Sequence, residues 1–320
     1  RLQFNNRVAL SSCNRRPFFG KSCFSVFLWG DRGSAMRDST KAIHRFRAIV
    51  FGYTLFFIAG YESPTDFARW CDRWWQSRRP SCVGRRKPNS KWFSLLAGAW
   101  PRDHWCAELV SEFPVLKDVR DNPLWTVLVW EDIPSDAAEI FIHRVRMNDA
   151  PLFPFSEKMM EALCGCPDWT RLAYLVALLR TRDLRYLLHR LWLRKNFSYY
   201  VKLVCLTKPY CACYSELYRH LHALYLHGQL GEIDQWPMDL QAFQEALERQ
   251  KSFRNMLDEK NWIQERDTAF GVTMLWHVAA DLRLVASRFA QGQYECPRGL
   301  LHRVKTTLKN HSETLIKLID

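Results

Sequence analysis

The sequence predicts an all-α protein, a multi-helix bundle or irregular helical array that closes with an antiparallel helical hairpin. Three observations carry that expectation. Leu172, Leu175 and Leu179, then Leu184, Leu187 and Leu191, recur at three- and four-residue steps, the period of a helix with one buried face. Leu275, Val278, Leu282, Val285 and Phe289 repeat that rhythm, and so do Leu301, Val304, Leu308, His311, Leu315 and Leu318. Against these, a single stretch, Trp125 to Trp130, reads as a short strand, because Thr126, Val127 and Val129 favour one.

The totals allow a large core. Of 320 residues, 48% are hydrophobic and 14 are Trp, so aromatic side chains should dominate the packing. The length suits about two domains. The formal net charge of +13 is unevenly placed. Residues 1–47 carry ten Lys/Arg against two Asp/Glu, residues 48–61 carry none, residues 62–91 carry eight against three, and residues 92–320 are neutral overall. A basic segment on a neutral body predicts a polyanionic partner, nucleic acid or an anionic membrane surface. The 11 Cys are an odd number in a chain too long to need staples, which predicts mostly reduced thiols in a reducing, cytoplasmic compartment.

Taken in order, the chain divides into four parts. Residues 1–35 precede the first Met, Met36, and residues 1–30 hold Arg and Ser but no acid. That composition resembles a transit peptide, and the stretch is expected to be disordered or absent from the mature protein. Residues 36–91 form a basic N-terminal segment around an apolar helix at 48–61. Fourteen residues give about 21 Å of helix, short of the roughly 30 Å hydrocarbon core, so a buried helix is expected. Arg37, Lys41, Arg45 and Arg47 before that run also fit a targeting signal. Ser63 and Pro64 then open a helix that places Phe67, Trp70, Cys71, Trp74 and Trp75 on one face.

Residues 92–150 read as a helical subdomain of short segments, Trp92 to Trp100 and Asp103 to Phe113 among them, with Pro151 and Pro154 marking the boundary. Residues 151–320 read as a helical core domain centred on Trp169 to Val204. Asp183 is expected to cap its second half, Lys208-Pro209 to interrupt it, Ser215 to begin a helix that Gly228 stops, and Pro237 to Leu257 to form another. Helices 275–289 and 301–318 make the terminal hairpin, whose seam packs on the core or on another chain.

Two constellations are candidate sites. Arg78, Arg79, Arg85, Arg86, Lys87 and Lys91 lie in a Pro- and Gly-containing loop beside Trp74 and Trp75. Cations on such a segment can follow phosphates while the indoles stack on bases. Cys205, Cys211, Cys213, His220 and His227 are zinc-ligand types, although the C-x2-C knuckle is missing and His220 and His222 diverge on a helix. His104 with Glu108 and His277 with Asp281 have the spacing of base and orienter. No G-x-S-x-G, P-loop or G-x-G-x-x-G motif is present. A catalytic site assembled from distant residues would leave no such trace. The expectation is therefore a non-enzymatic helical interaction protein whose basic N-terminal part binds nucleic acid, with no cofactor unless zinc occupies the Cys/His group. The alternative is a membrane-associated or exported helical protein targeted by residues 37–61 and held through 48–61.

Overall fold

A computed structural model describes residues 34–78, 90–129, 135–147, 150–165, 167–259 and 276. The described residues are predominantly α-helical, as the hydrophobic periods predict. Helix α1 (Ser34–Ala59) is followed by α2 (Pro64–Arg78), α3 (Ser90–Leu96), α4 (Asp103–Glu112), α5 (Val115–Arg120), α6 (Leu124–Leu128) and α7 (Ser135–Arg144). A two-residue ribbon, β1 (Arg146–Met147) antiparallel to β2 (Ala150–Pro151), leads to α8 (Glu157–Cys164) and α9 (Trp169–Arg180). A 3-10 turn at Leu184–Tyr186 enters α10 (Leu187–Leu206), and α11 (Tyr214–Leu226) and α12 (Leu240–Glu259) complete the array.

Helix α1 is the spine of the N-terminal half. It packs on α2, α3, α5, α6 and α11. Its apolar stretch is buried at Ala48, Ile49, Val50, Phe51, Leu55 and Phe56, and Thr54 satisfies its hydroxyl on the Val50 carbonyl at 2.7 Å. Gly52 faces α3 so closely that a Cβ there would sit 3.1 Å from the Leu95 carbonyl oxygen. Helix α9 is the spine of the other half. Its residues Leu172 to Leu179 are buried without interruption, against α6, α7, α8 and α10. Side chains from Ile43 to Leu247 join in one apolar core that also holds Trp276, so α1 and α9–α12 share it. Trp276 reaches Trp192, Tyr199 and Tyr200 on α10, at ring separations of 6.1, 6.2 and 5.1 Å. The rest of the hairpin expected at 275–289 and 301–318 lies outside the described residues.

Local signals explain several helix ends. Ser63 accepts a hydrogen bond from the Thr65 amide and Ser156 from the Met159 amide. Asp168 caps α9 through the Arg171 amide at 2.8 Å, and Asp183 caps the turn before α10 through the Arg185 amide at 2.9 Å. Gly228 takes φ +68° just past α11. Tyr200 ties the start of α9 to the end of α8: its hydroxyl donates to the Cys164 carbonyl and accepts from the Asp168 amide.

Two expectations are corrected. Residues Leu124–Leu128 form α6, not a strand. Asn122 accepts from the Leu124 amide, Pro123 presets the first turn, and the Trp125 indole donates to the Val119 carbonyl, so local bonding overrides β propensity. The second concerns Leu184, Leu187 and Leu191. With Leu188 they form an exposed row, at 78%, 45%, 48% and 55% exposure respectively. The face of α10 that packs carries His189, Leu193, Phe197, Tyr200, Val201 and Val204. It runs the length of the helix, whereas the leucine row ends at Leu191 before Arg194 and Lys195, so the longer face wins the core.

Candidate functional site

Among the residues expected to contact nucleic acid, Arg78, Lys91, Trp74 and Trp75 are described; Arg79, Arg85, Arg86 and Lys87 lie outside the described residues. Trp75 is 8% exposed and packs edge-on against Trp105 at 5.2 Å. Trp74 is half-buried against Phe113 at 6.1 Å. Arg78 ends α2 with its guanidinium over the Trp74 ring at 4.4 Å and an ion pair to Glu112 at 2.5 Å. Lys91 starts α3 with its ammonium over three indoles, Trp105 at 3.6 Å, Trp92 at 4.4 Å and Trp75 at 4.7 Å. The structure therefore joins Arg78 to Trp74 and Lys91 to Trp75, each as a cation–π contact worth about 0.5–2 kcal/mol. The sequence reading did not single out Trp92, Trp105, Phe113 and Glu112 as parts of this surface. The signal available was density: Lys91 directly precedes Trp92.

The Cys/His constellation is only partly assembled. Cys205 at the end of α10 and Cys213 before α11 are buried, and Cys211 between them is exposed. Burial pushes all three thiols up, and each is raised further by at least one other of the three or opposed by nearby cations. Neutral thiols are weak metal ligands. His220 points instead at α1, stacked on Phe46 at 5.3 Å, and burial pushes its imidazole down to about 4. His227 sits at the exposed end of α11. Among the described residues no group of three His, Cys, Asp or Glu side chains could hold a metal ion. The six described cysteines, Cys71, Cys106, Cys164, Cys205, Cys211 and Cys213, are all free thiols. His104 is exposed on α4 with its ring on Trp105 at 5.8 Å, and His277 with Asp281 falls outside the described residues.

Among the described residues one concavity escaped the sequence reading. A cleft of about 330 Å³ opens between α1, α4 and α5, lined by His44, Arg47, Trp100, Asp103, Cys106 and Arg120. Arg47 crosses it from α1: its guanidinium lies over Trp100 at 4.8 Å and donates to the Arg120 carbonyl, one of the last on α5. Its Nε is buried with no hydrogen-bond partner. Arg120 forks onto the Asp121 carboxylate at 2.8 and 2.9 Å, which holds that carboxylate below its usual range. Partial burial, then the neighbouring Arg47, lower the His44 imidazole from its ordinary value. Burial raises the Cys106 thiol, although Arg120 and Arg47 both favour its charged form. The cleft thus brings together two guanidiniums, one compensated by Asp121 and one facing an indole, and the Asp103 carboxylate. The volume falls at the lower end of ordinary ligand sites, about 300–1,000 Å³. Arg47 and Arg120 are 73 residues apart, so nothing local in the sequence announces the pair.

A scan against protein families finds no match to the chain, and neither the curated proteins nor the solved structures contain a significant relative.

Proposed function

We propose that this chain is a non-enzymatic, cytoplasmic helical interaction protein whose basic N-terminal part binds nucleic acid. The observation that carries the reading is the charge distribution: the first 91 residues hold the whole net charge of +13. In the folded chain Lys41, Arg45, Arg69, Arg73 and Arg78 of that part are exposed, on α1 and α2. Arg47, which lines the cleft with Arg120, lies on the same α1. Phosphate neutralisation by such groups sets affinity and makes it salt-dependent.

The test is fluorescence anisotropy with labelled single-stranded and duplex oligonucleotides over a salt series. Binding should weaken at a log–log slope of about 0.7 to 0.9 per phosphate neutralised. Gln at Arg78, Arg79, Arg85, Arg86 and Lys87 together should flatten that slope by several units while the helical spectrum is kept. No binding at low salt, or an unchanged slope in the Gln variant, overturns the reading.

A second reading, membrane association through residues 37–61, draws on one feature of α1. Thr40–Ala59 is long and apolar enough for a span, with a mean hydropathy of 1.3, yet half of that window is buried inside the protein. Flotation with anionic vesicles, in the absence of any oligonucleotide binding, would favour it.

A further inference from the structure

The entrance to α10 carries an apolar row that the core does not use. Leu184, Leu187, Leu188 and Leu191 stand at i, i+3, i+4 and i+7, and all four are exposed. Leu191 is two residues from both His189 and Leu193, about 200° round the helix from the packed face. The row is short, roughly 10 Å along the axis. Half-buried Trp192 borders it, one turn past Leu188. The charges along this stretch are mostly basic. Residues 182–195 hold five Lys/Arg and a single acid, Asp183. Asp183 is engaged by Arg185 at 2.6 Å and caps the Arg185 amide. Arg190 is turned onto the Thr181 and Asp183 carbonyls, and Arg194 onto Glu232 and Asp234 at 2.7 and 2.8 Å. Arg182, before the row, and Lys195, one turn after Leu191, are exposed.

We propose that the leucine row of α10 is a docking face for an anionic bilayer surface. The four leucines enter the boundary between headgroups and acyl chains, while Arg182 and Lys195 stay with the headgroup phosphates at the two ends of the row. Long basic side chains hold their charge at that level over an apolar stem, and an indole such as Trp192 suits the same layer. A second copy of the chain fits the row less well. Four partly exposed leucines offer on the order of a few hundred Å², against about 800 Å² buried by each partner of a standard protein pair. A second copy also brings the same cations and another net charge of +13. A bilayer is fluid, needs no matching outline, and supplies the opposite charge across a plane. The inference is separate from the polyanion reading and from membrane association through α1, because it uses no residue of the first 91.

The probe is a vesicle of equal parts phosphatidylcholine and phosphatidylserine, with pure phosphatidylcholine as control, in co-sedimentation with the full chain at low salt. Leu184→Gln, Leu188→Gln and Leu191→Gln together keep the net charge and the helix propensity. Each leucine replaced should weaken binding about three- to tenfold, the worth of half a side chain leaving water, and the triple variant should lose about thirtyfold or more. Arg182→Gln and Lys195→Gln should each cost about fivefold. Oligonucleotide binding should be the same in the triple variant, so the fate of that reading is measured apart from this one. No sedimentation of the unmodified chain with the mixed vesicles overturns the proposal, and so does equal sedimentation with both kinds of vesicle. Undiminished binding by the triple variant overturns it too, since the hold would then come from the basic segment or from α1. A lipid-free chain whose mass by light scattering falls to that of a monomer in the triple variant would make the row a seam between copies, which equally refutes it. If the triple variant loses its helical spectrum, Leu188→Ala takes its place, and unchanged vesicle binding by that chain decides against the proposal.

Discussion

His220 should make the fold acid-sensitive, and by a calculable amount. Its imidazole is stacked on Phe46 where α1, α6 and α11 meet; Phe46 in turn packs edge-on against Trp125 at 5.4 Å. Burial is the main cause that lowers its pKa to about 4, with Arg219 adding to the effect and Glu216 opposing it. In the unfolded chain the group titrates near the ordinary 6.5. The folded state therefore takes up a proton less readily, so its stability is complete above that ordinary value and is lost as pH falls from 6.5 towards 4. At roughly pH 5 the linkage amounts to about 2 kcal/mol, rising to about 3 kcal/mol below the folded value, with each unit worth about 1.4 kcal/mol. His220→Phe keeps a ring against Phe46 and removes the proton site. Urea unfolding followed by far-UV circular dichroism at about pH 7 and about pH 5 gives both stabilities. The unmodified chain should lose about 2 kcal/mol more than His220→Phe across that interval. His189, also lowered by burial, titrates in both proteins and cancels in the difference. Equal losses in the two proteins would refute the reasoning, and would mean that His220 stays hydrated.

Two further outcomes follow from burial and bonding on α10. Leu193→Ala, at a position with 0% exposure, should cost about 2–5 kcal/mol by urea unfolding, whereas Leu188→Ala, at 55% exposure, should stay within about 0.5 kcal/mol. Equal costs would show that the exposed leucine row is covered in solution. Tyr200→Phe removes the hydroxyl that serves both the Cys164 carbonyl and the Asp168 amide, and should cost about 1–3 kcal/mol because both backbone groups lose a buried partner. No change in midpoint would mean that water replaces the hydroxyl.

Where a structural decision is made by neighbours along the chain, it can be read without coordinates. Ser63 before Pro64, Asp183 before α10 and Gly228 after α11 act within one turn, and each does what its residue type predicts. The period of Leu184, Leu187 and Leu191 correctly marked a helix but not its covering. A three- and four-residue step defines a face, and α10 has two apolar faces of which only one is packed. α9, buried on every side, shows that a central helix need not be amphipathic at all. Arg78 beside Trp74 was visible because α2 places them one turn apart. The Arg47–Arg120 cleft and the Trp75–Trp92–Trp105 cluster were not, since each draws its parts from separate helices and depends on how those helices meet.

The leucine row on α10 has a consequence for how copies of this chain behave towards one another. Four large apolar side chains in water form a patch that gains from any contact hiding it. The net charge of +13 keeps copies apart through a field that reaches about 10 Å at 0.1 M ionic strength. Solubility is thus a contest between a long-range repulsion that salt shortens and a short-range adhesion that salt leaves intact. Added salt pulls in opposite directions, loosening any hold on a polyanion while removing the barrier to self-association. The same basic segment that reads as a docking surface for a negatively charged partner also acts as a colloidal stabiliser. A bound polyanion that neutralised it would bring the leucine rows of neighbouring copies within reach.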